Sequence, residues 1–348
     1  MLASAILIGS FLLWAQFGCK DEGTAPGVTD ENFPADGGEN TLCYEKSYNG
    51  SWEVFTNNIA GTNPQNISNN AADDEYPQFS PDGRYISFLR NGAQEFVYDY
   101  MAGASTNLGG ANWPLTWTPS GKLCFAAPAA VYVMNPDGTE KKKILDSAAT
   151  TYFYQDSYSF LYINTLTGSK VYKTNIDHTL NKFVLDLEPS PSQFLTVRDF
   201  NGITGELLVN TNTVPGSASA IATFSVQTKQ LNAVLKAEEG YTLYFQRYSR
   251  DFSAIAFIEH SNQDEYLSIV KAGAKKRLVR IPASAPAVTF SYNGMAFSPD
   301  GRYIAFSEVV YGSGVWVSWT EYLYVVDVSS GALYFVDKGF HPSWKAHQ

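Results

Sequence analysis

The side chains of this 348-residue chain that could carry acid–base, metal or nucleophilic chemistry are four histidines, three cysteines and dispersed carboxylates. Their spacing restricts that chemistry. His178, His260, His341 and His347 are scattered, and none belongs to an HExxH pair that would put two metal ligands on one helix face. There is no GxSxG elbow for an exposed nucleophilic serine. Asn135-Pro136-Asp137-Gly138-Thr139 begins like a calcium loop but lacks the later acidic ligands, so it reads as a hairpin turn. Gly312-Ser313-Gly314 has no strand-to-helix context in which to cradle phosphate. The expectation is therefore no catalytic residue, no metal and no cofactor.

Binding residues are easier to nominate. Val309 to Glu321 is longer than an ordinary hairpin and carries Tyr311, Trp316 and Trp319 beside flexible glycines. Aromatics in that setting either anchor a protein or glycan or extend two strands and pack on neighbours. Asp73, Asp74, Glu75, Arg90, Glu259 and His260 are expected to share a rim with this loop, as binding groups or as solvated charges. His260 falls in a loop from Ile258 to Asp264. His178 is placed in an outer hairpin turn, and His341 in a packing motif, His341-Pro342-Ser343-Trp344.

The elements that must position these residues come from a repeat. Phe79 to Phe88 reads FSPDGRYISF and Phe297 to Phe306 reads FSPDGRYIAF. Pro81 and Pro299 fix φ for a type I turn, Asp82 and Asp300 follow, and Gly83 and Gly301 take the left-handed position of a three-residue hairpin with a bulge. The strand after each turn is apolar on both faces, so it should lie between two other sheets. Weaker copies start at Trp117, Phe153, Phe200 and Tyr248, and a last one at Trp344. The seven leading aromatics are 38, 36, 47, 48, 49 and 47 residues apart. Second hairpins between them supply two more strands per unit.

Four strands recurring seven times predict an all-β fold, a seven-bladed β-propeller of four-stranded antiparallel blades. The ring is expected to close by splicing its ends. Residues 340–345 give the innermost strand of a blade whose others are 41–47, 52–57 and 65–68. Cys43 and Cys124 fall in the same small-residue slot of the first and third blades, too far apart for a disulfide, and read as separate buried thiols. With 45% hydrophobic and 15% aromatic residues the chain must bury a core, and a net charge of −10 argues against binding nucleic acid by phosphate neutralisation.

The two FSPDGRY copies and the closing HPSW resemble the repeat of TolB-like β-propeller proteins, the family of the periplasmic partner of the Tol system, over residues 41–348. The resemblance implies the fold and an envelope setting, and names no activity. Pectate-type lyases on such propellers use grouped histidines around an axial metal, and sialidases an Asp-box that the adjacent Asp82-Gly83 does not match. At the N-terminus, residues 1–18 read as a signal peptide, apolar from Leu2 to Phe17. Gly18-Cys19 resembles a bacterial lipobox, which implies lipidation of Cys19. Lys20-Asp21-Glu22 is similar to a surface-export signal of lipoproteins. Residues 19–40 are acidic and rich in Gly and Pro, an expected tether of about 25 Å. The functional expectation is a monomeric, non-catalytic lipoprotein module of the outer membrane, periplasmic or surface-exposed, binding a protein or glycan. The alternatives are a polysaccharide-active lyase or hydrolase using the propeller mouth, and a purely structural envelope protein.

Overall fold

The computed structural model describes residues 38–346 apart from 111, 128–129, 147–148, 165–169, 178, 189–191, 283–287 and 312–318. Signal segment, lipobox and most of the tether lie outside the described residues, as do His178, Trp316 and His347. The described residues form seven four-stranded antiparallel sheets. Blade 1 runs, from the axis outward, Phe340–Trp344, Leu42–Tyr48, Ser51–Asn57 and Gln65–Asn66. Blades 2 to 7 follow in chain order, with innermost strands Asp74–Phe79, Asn112–Trp117, Ala149–Phe153, Leu195–Asn201, Thr242–Tyr248 and Val288–Phe297. Every leading aromatic read from the sequence ends or nearly ends one of these strands.

A blade leaves both faces apolar, and the ring supplies a partner for each. Among the described residues the buried core accordingly divides into seven clusters, one at each junction of adjacent blades. Cys43, Val54, Ile86 and Phe88 join blades 1 and 2. Leu42, Tyr44, Ala305 and Leu323 close the circle between blades 1 and 7. At this seam Leu42 pairs with Trp344 and Cys43 with Ser343, and Lys345 N donates to Thr41 O at 2.8 Å. Gly339 has to be glycine here, because a β-carbon would stand 2.4 Å from the Tyr44 ring. Asn40 already belongs to the folded body, its amide donating to Thr56 Oγ1 at 3.1 Å.

Neighbouring innermost strands are latched by a repeated device. The indole N–H of Trp117 donates to Gln78 O at 3.2 Å, and that of Trp344 to Ala296 O at 2.9 Å. Each acceptor immediately precedes the leading aromatic of the previous blade. Where that preceding residue is Ser343 or Asp199, its side chain instead accepts the next aromatic's backbone N–H, from Phe79 at 3.1 Å and from Tyr248 at 2.9 Å.

The turns need one correction. Gly83 and Gly301 both have φ of 70°, and their N–H groups close type I turns onto Ser80 O and Ser298 O. Yet Ser80 N bonds to Tyr85 O and Ser298 N to Tyr303 O, so these loops hold four residues rather than three. The serine hydroxyl is the reason: Ser80 Oγ accepts from Tyr85 N at 2.9 Å while donating to Asp82. The same Ser–Asp pair recurs at Ser298 and Asp300 and at Ser249 and Asp251. In blade 3, Thr118 N bonds to Lys122 O and the three-residue form holds.

Candidate functional site

Two kinds of loop share one face of the ring: those joining the second and third strands, and those joining successive blades. Arg90 ends the second strand of blade 2 on this face. Its Nε and Nη2 grip Asp74 Oδ1 and Oδ2 at 2.8 and 2.9 Å, and its guanidinium lies 4.0 Å from the Phe96 ring centroid. Asp74 is fully buried, so this bidentate pair fastens the innermost strand to its neighbour.

Glu259 in blade 6 is likewise buried. It accepts from Ser268 Oγ at 2.6 Å, Lys275 Nζ at 2.7 Å and Arg277 Nε at 3.1 Å. Burial alone would raise its pKa, but the donors from Arg277, Lys275 and Ser268 outweigh it and hold the carboxyl below its ordinary range. Arg277 also stacks over Tyr266, 4.2 Å from its centroid. His260 is strand rather than loop: the second strand of blade 6 runs Ala254–His260. The reason is its cross-strand partner, Glu265, whose Oε1 lies 2.6 Å from His260 Nδ1. The imidazole is 45% exposed, more accessible than Arg90 or Glu259.

The long excursion of blade 7 proves to be partly strand. Val310 pairs with Thr320 and Tyr311 with Trp319, so the two strands are extended. Trp316 lies outside the described residues.

Further down the innermost strands, three blades depart from regular pairing at one matched position. Tyr76, Phe245 and His341 each stand three residues before a leading aromatic and have φ of 57°, 55° and 48°. Bulges at Tyr76 and Phe245 interrupt the register between Glu75 and Gln78 and between Tyr244 and Arg247. A non-glycine residue in this region is held by its surroundings and marks a re-aimed side chain.

Around His341 and Tyr76 the surroundings are acidic. Buried Glu45 places Oε1 at 3.0 Å from His341 Nδ1 and accepts the Tyr76 N–H on Oε2 at 2.6 Å. The His341 and Tyr76 rings are 4.6 Å apart. Glu75 has its pKa raised by burial and by Glu45 and Asp73, with His341 opposing. This is a histidine–carboxylate pair beside a second carboxyl whose own pKa is raised. Sequence reading put Glu75 at the rim and His341 into packing, and it missed Glu45. Counting back three residues from the seven leading aromatics gives Pro114, Thr150, Val197 and Gly294 as well as Tyr76, Phe245 and His341, so the spacing alone does not separate the three with left-handed backbone.

On blades 5 and 6 the corresponding stretch is basic. Arg247 Nη1 donates to Arg198 O at 2.8 Å, and Arg198 lies over the Phe245 ring at 5.6 Å. Burial and then Arg247 lower the pKa of Arg198. Among the described residues no three His, Cys, Asp or Glu side chains are grouped to hold a metal ion.

No protein-family model matches the sequence, and no curated protein is significantly similar to it. Solved structures do share the fold. TolB from Acinetobacter baumannii superposes with a TM-score of 0.52 at 12% identity, over 88% of this chain and 67% of that one. An oligogalacturonate lyase from Vibrio parahaemolyticus gives 0.59 at 10% identity, over 86% and 87%. A puromycin-hydrolysing peptidase from Mycobacterium tuberculosis gives 0.57 at 13% identity, and this chain spans 53% of it. At such identities the likeness establishes a seven-bladed propeller and nothing about activity.

Proposed function

We propose that the protein is an extracytoplasmic lipoprotein, anchored through Cys19, whose propeller is a non-catalytic module that binds a protein or glycan of the cell envelope on its rim. The observation that carries this reading is the state of the rim charges. Arg90 is bound to Asp74 by both arms, and Glu259 by three separate donors. These groups stiffen the strands that present the loops, and rigid loops on a rigid scaffold are how propellers bind. His260, Glu265 and the paired strands at Tyr311 and Trp319 are then the recognition elements.

A second reading, a polysaccharide-active enzyme, is favoured by one specific feature, the convergence of Glu45, His341 and Glu75 beside strained backbone. A carboxyl of raised pKa near a histidine–carboxylate pair suits general acid–base chemistry.

The two are separated by screening the full-length chain on an envelope-glycan array and by affinity capture of envelope proteins, beside an assay for cleavage of acidic polysaccharides. Retention of one glycan or partner that weakens at least tenfold in a His260→Ala, Glu265→Ala double variant supports the rim reading. Turnover abolished by His341→Ala transfers the function to the channel. Retention of nothing, with no turnover, defeats both.

A further inference from the structure

The opposite face, where the hairpins between first and second and between third and fourth strands emerge, has a groove of about 400 Å³ between blades 4 and 5. Lys173, Lys182 and Lys229 line it together with Tyr154 and Thr204. Ion-paired lysines occur elsewhere, at Lys46, Lys122, Lys142, Lys143, Lys275 and Lys345. The three groove lysines make no such pair among the described residues, in a chain whose net charge is −10.

The groove is built. Lys229 has φ of 61°, a left-handed conformation unusual for lysine, and its Nζ crosses to blade 4 to donate to Val184 O at 3.1 Å. Lys173 Nζ sits 4.2 Å from the Tyr154 centroid, and that ring is held against Gly205, where a β-carbon would stand 3.1 Å away. Two carboxylates border the groove: Asp156, whose Oδ1 accepts the N–H groups of Tyr158 and Ser159 at 2.9 and 2.8 Å and which feels the Lys173 charge, and Glu206, which accepts from Thr204 Oγ1 at 3.0 Å, so the three lysines outnumber the two acids there. Burial and then Lys182 lower the pKa of Lys229, the effect of a like charge lining the same groove.

From these lysines we infer that the groove between blades 4 and 5 is a binding site for a compact polyanion, a small molecule or chain end bearing two or more phosphoryl or carboxylate groups. Each ammonium supplies charge-assisted hydrogen bonds to an oxyanion, and the tyrosine wall and Thr204 hydroxyl border them. The site is on the far side of the ring from the rim, so it stands or falls independently of the partner proposed there.

Calorimetric titration of the full-length protein with inorganic pyrophosphate, and separately with citrate, tests this. Saturable binding of either, weaker at 200 mM than at about 50 mM salt, supports the site. The preferred probe tells phosphoryl from carboxylate ligands. Lys182→Ala and Lys229→Ala are each expected to weaken binding about 10- to 100-fold, while Lys338→Ala on blade 7 leaves it unchanged. Unaltered melting of the variants shows that they fold. Binding of neither probe at about 10 mM, or full affinity in the Lys182→Ala, Lys229→Ala double variant, overturns the assignment.

Discussion

The two near-identical turns offer an internal control. Gly83 and Gly301 share the motif and the φ of 70°, so alanine at either incurs the same left-handed cost of about 1 kcal/mol. Their surroundings differ. A β-carbon at Gly301 meets nothing within 4 Å, whereas at Gly83 it stands 2.8 Å from Lys345 Cγ and 3.0 Å from Ala346 O. The lysine stem can swing aside only by disturbing its contacts with Glu39 and the Tyr100 ring. The carbonyl belongs to the segment that closes the ring and can move only by disturbing the seam, at a further cost of about 1–3 kcal/mol. Gly301→Ala should therefore lose about 1 kcal/mol and Gly83→Ala about 2–4 kcal/mol. Urea unfolding measures both, with the m-value checking that the denatured state is unchanged. Lys345→Ala removes one of the two clashing groups, so it should couple to Gly83→Ala by at least about 0.5 kcal/mol and not to Gly301→Ala. Equal losses at the two glycines, or equal coupling, would refute the close approach of the C-terminal segment to the first repeat turn.

Three further outcomes follow from buried groups. Glu95 is buried with neither carboxylate oxygen partnered among the described residues, and burial pushes its pKa up to about 9. The folded state keeps the proton that the unfolded chain releases above its ordinary pKa, so stability should fall by about 1.4 kcal/mol per pH unit between about pH 5 and 9. Glu95→Gln should flatten that slope in unfolding measured across the range, and an unchanged slope counts against it. Cys43 and Cys124 are buried and unpaired, with the Cys124 thiol pushed up to about 12 by burial. Neither should react with a thiol reagent at pH 8 until the protein unfolds. Two thiols should then appear in envelope-purified protein if Cys19 carries lipid, and three if it is present without lipid. Finally, Trp117→Phe and Trp344→Phe each delete an indole latch and should cost about 1 kcal/mol in chemical denaturation; no loss in either would mean that the latch is incidental.

The ring was legible because its turns demand particular residues. Proline, aspartate and glycine announce the hairpins at Phe79 and Phe297, and the aromatic before each is required to fill a junction. Legibility fades where other chemistry does the same work. In blade 5 Asn201 Oδ1 caps the turn by accepting the Ile203 and Thr204 N–H groups. Elsewhere Ser157 and Phe252 occupy the left-handed position that glycine marks in the clear copies. The site residues were less visible for a different reason. Arg90 and Glu259 were placed near the correct end of their strands, but their partners Asp74, Lys275 and Arg277 follow from strand register, which no single residue type records. Glu45 and His341 lie near opposite ends of the chain and meet only through the shared blade. Lys173 and Lys182 lie on strands of blade 4 and Lys229 in a hairpin loop of blade 5, and they converge only because blades 4 and 5 are packed side by side.

The shared blade also determines how the molecule bears force. Leu42 runs antiparallel to Trp344, and the chain before it leaves through Asn40 and Glu39, the latter paired with Lys345 at 3.1 Å. A pull on the N-terminal segment directed along Leu42–Tyr48 loads that strand between two partners in shear. Its ladder bonds to both neighbours must then yield together rather than unzip singly, so the seam that closes the circle resists such a pull.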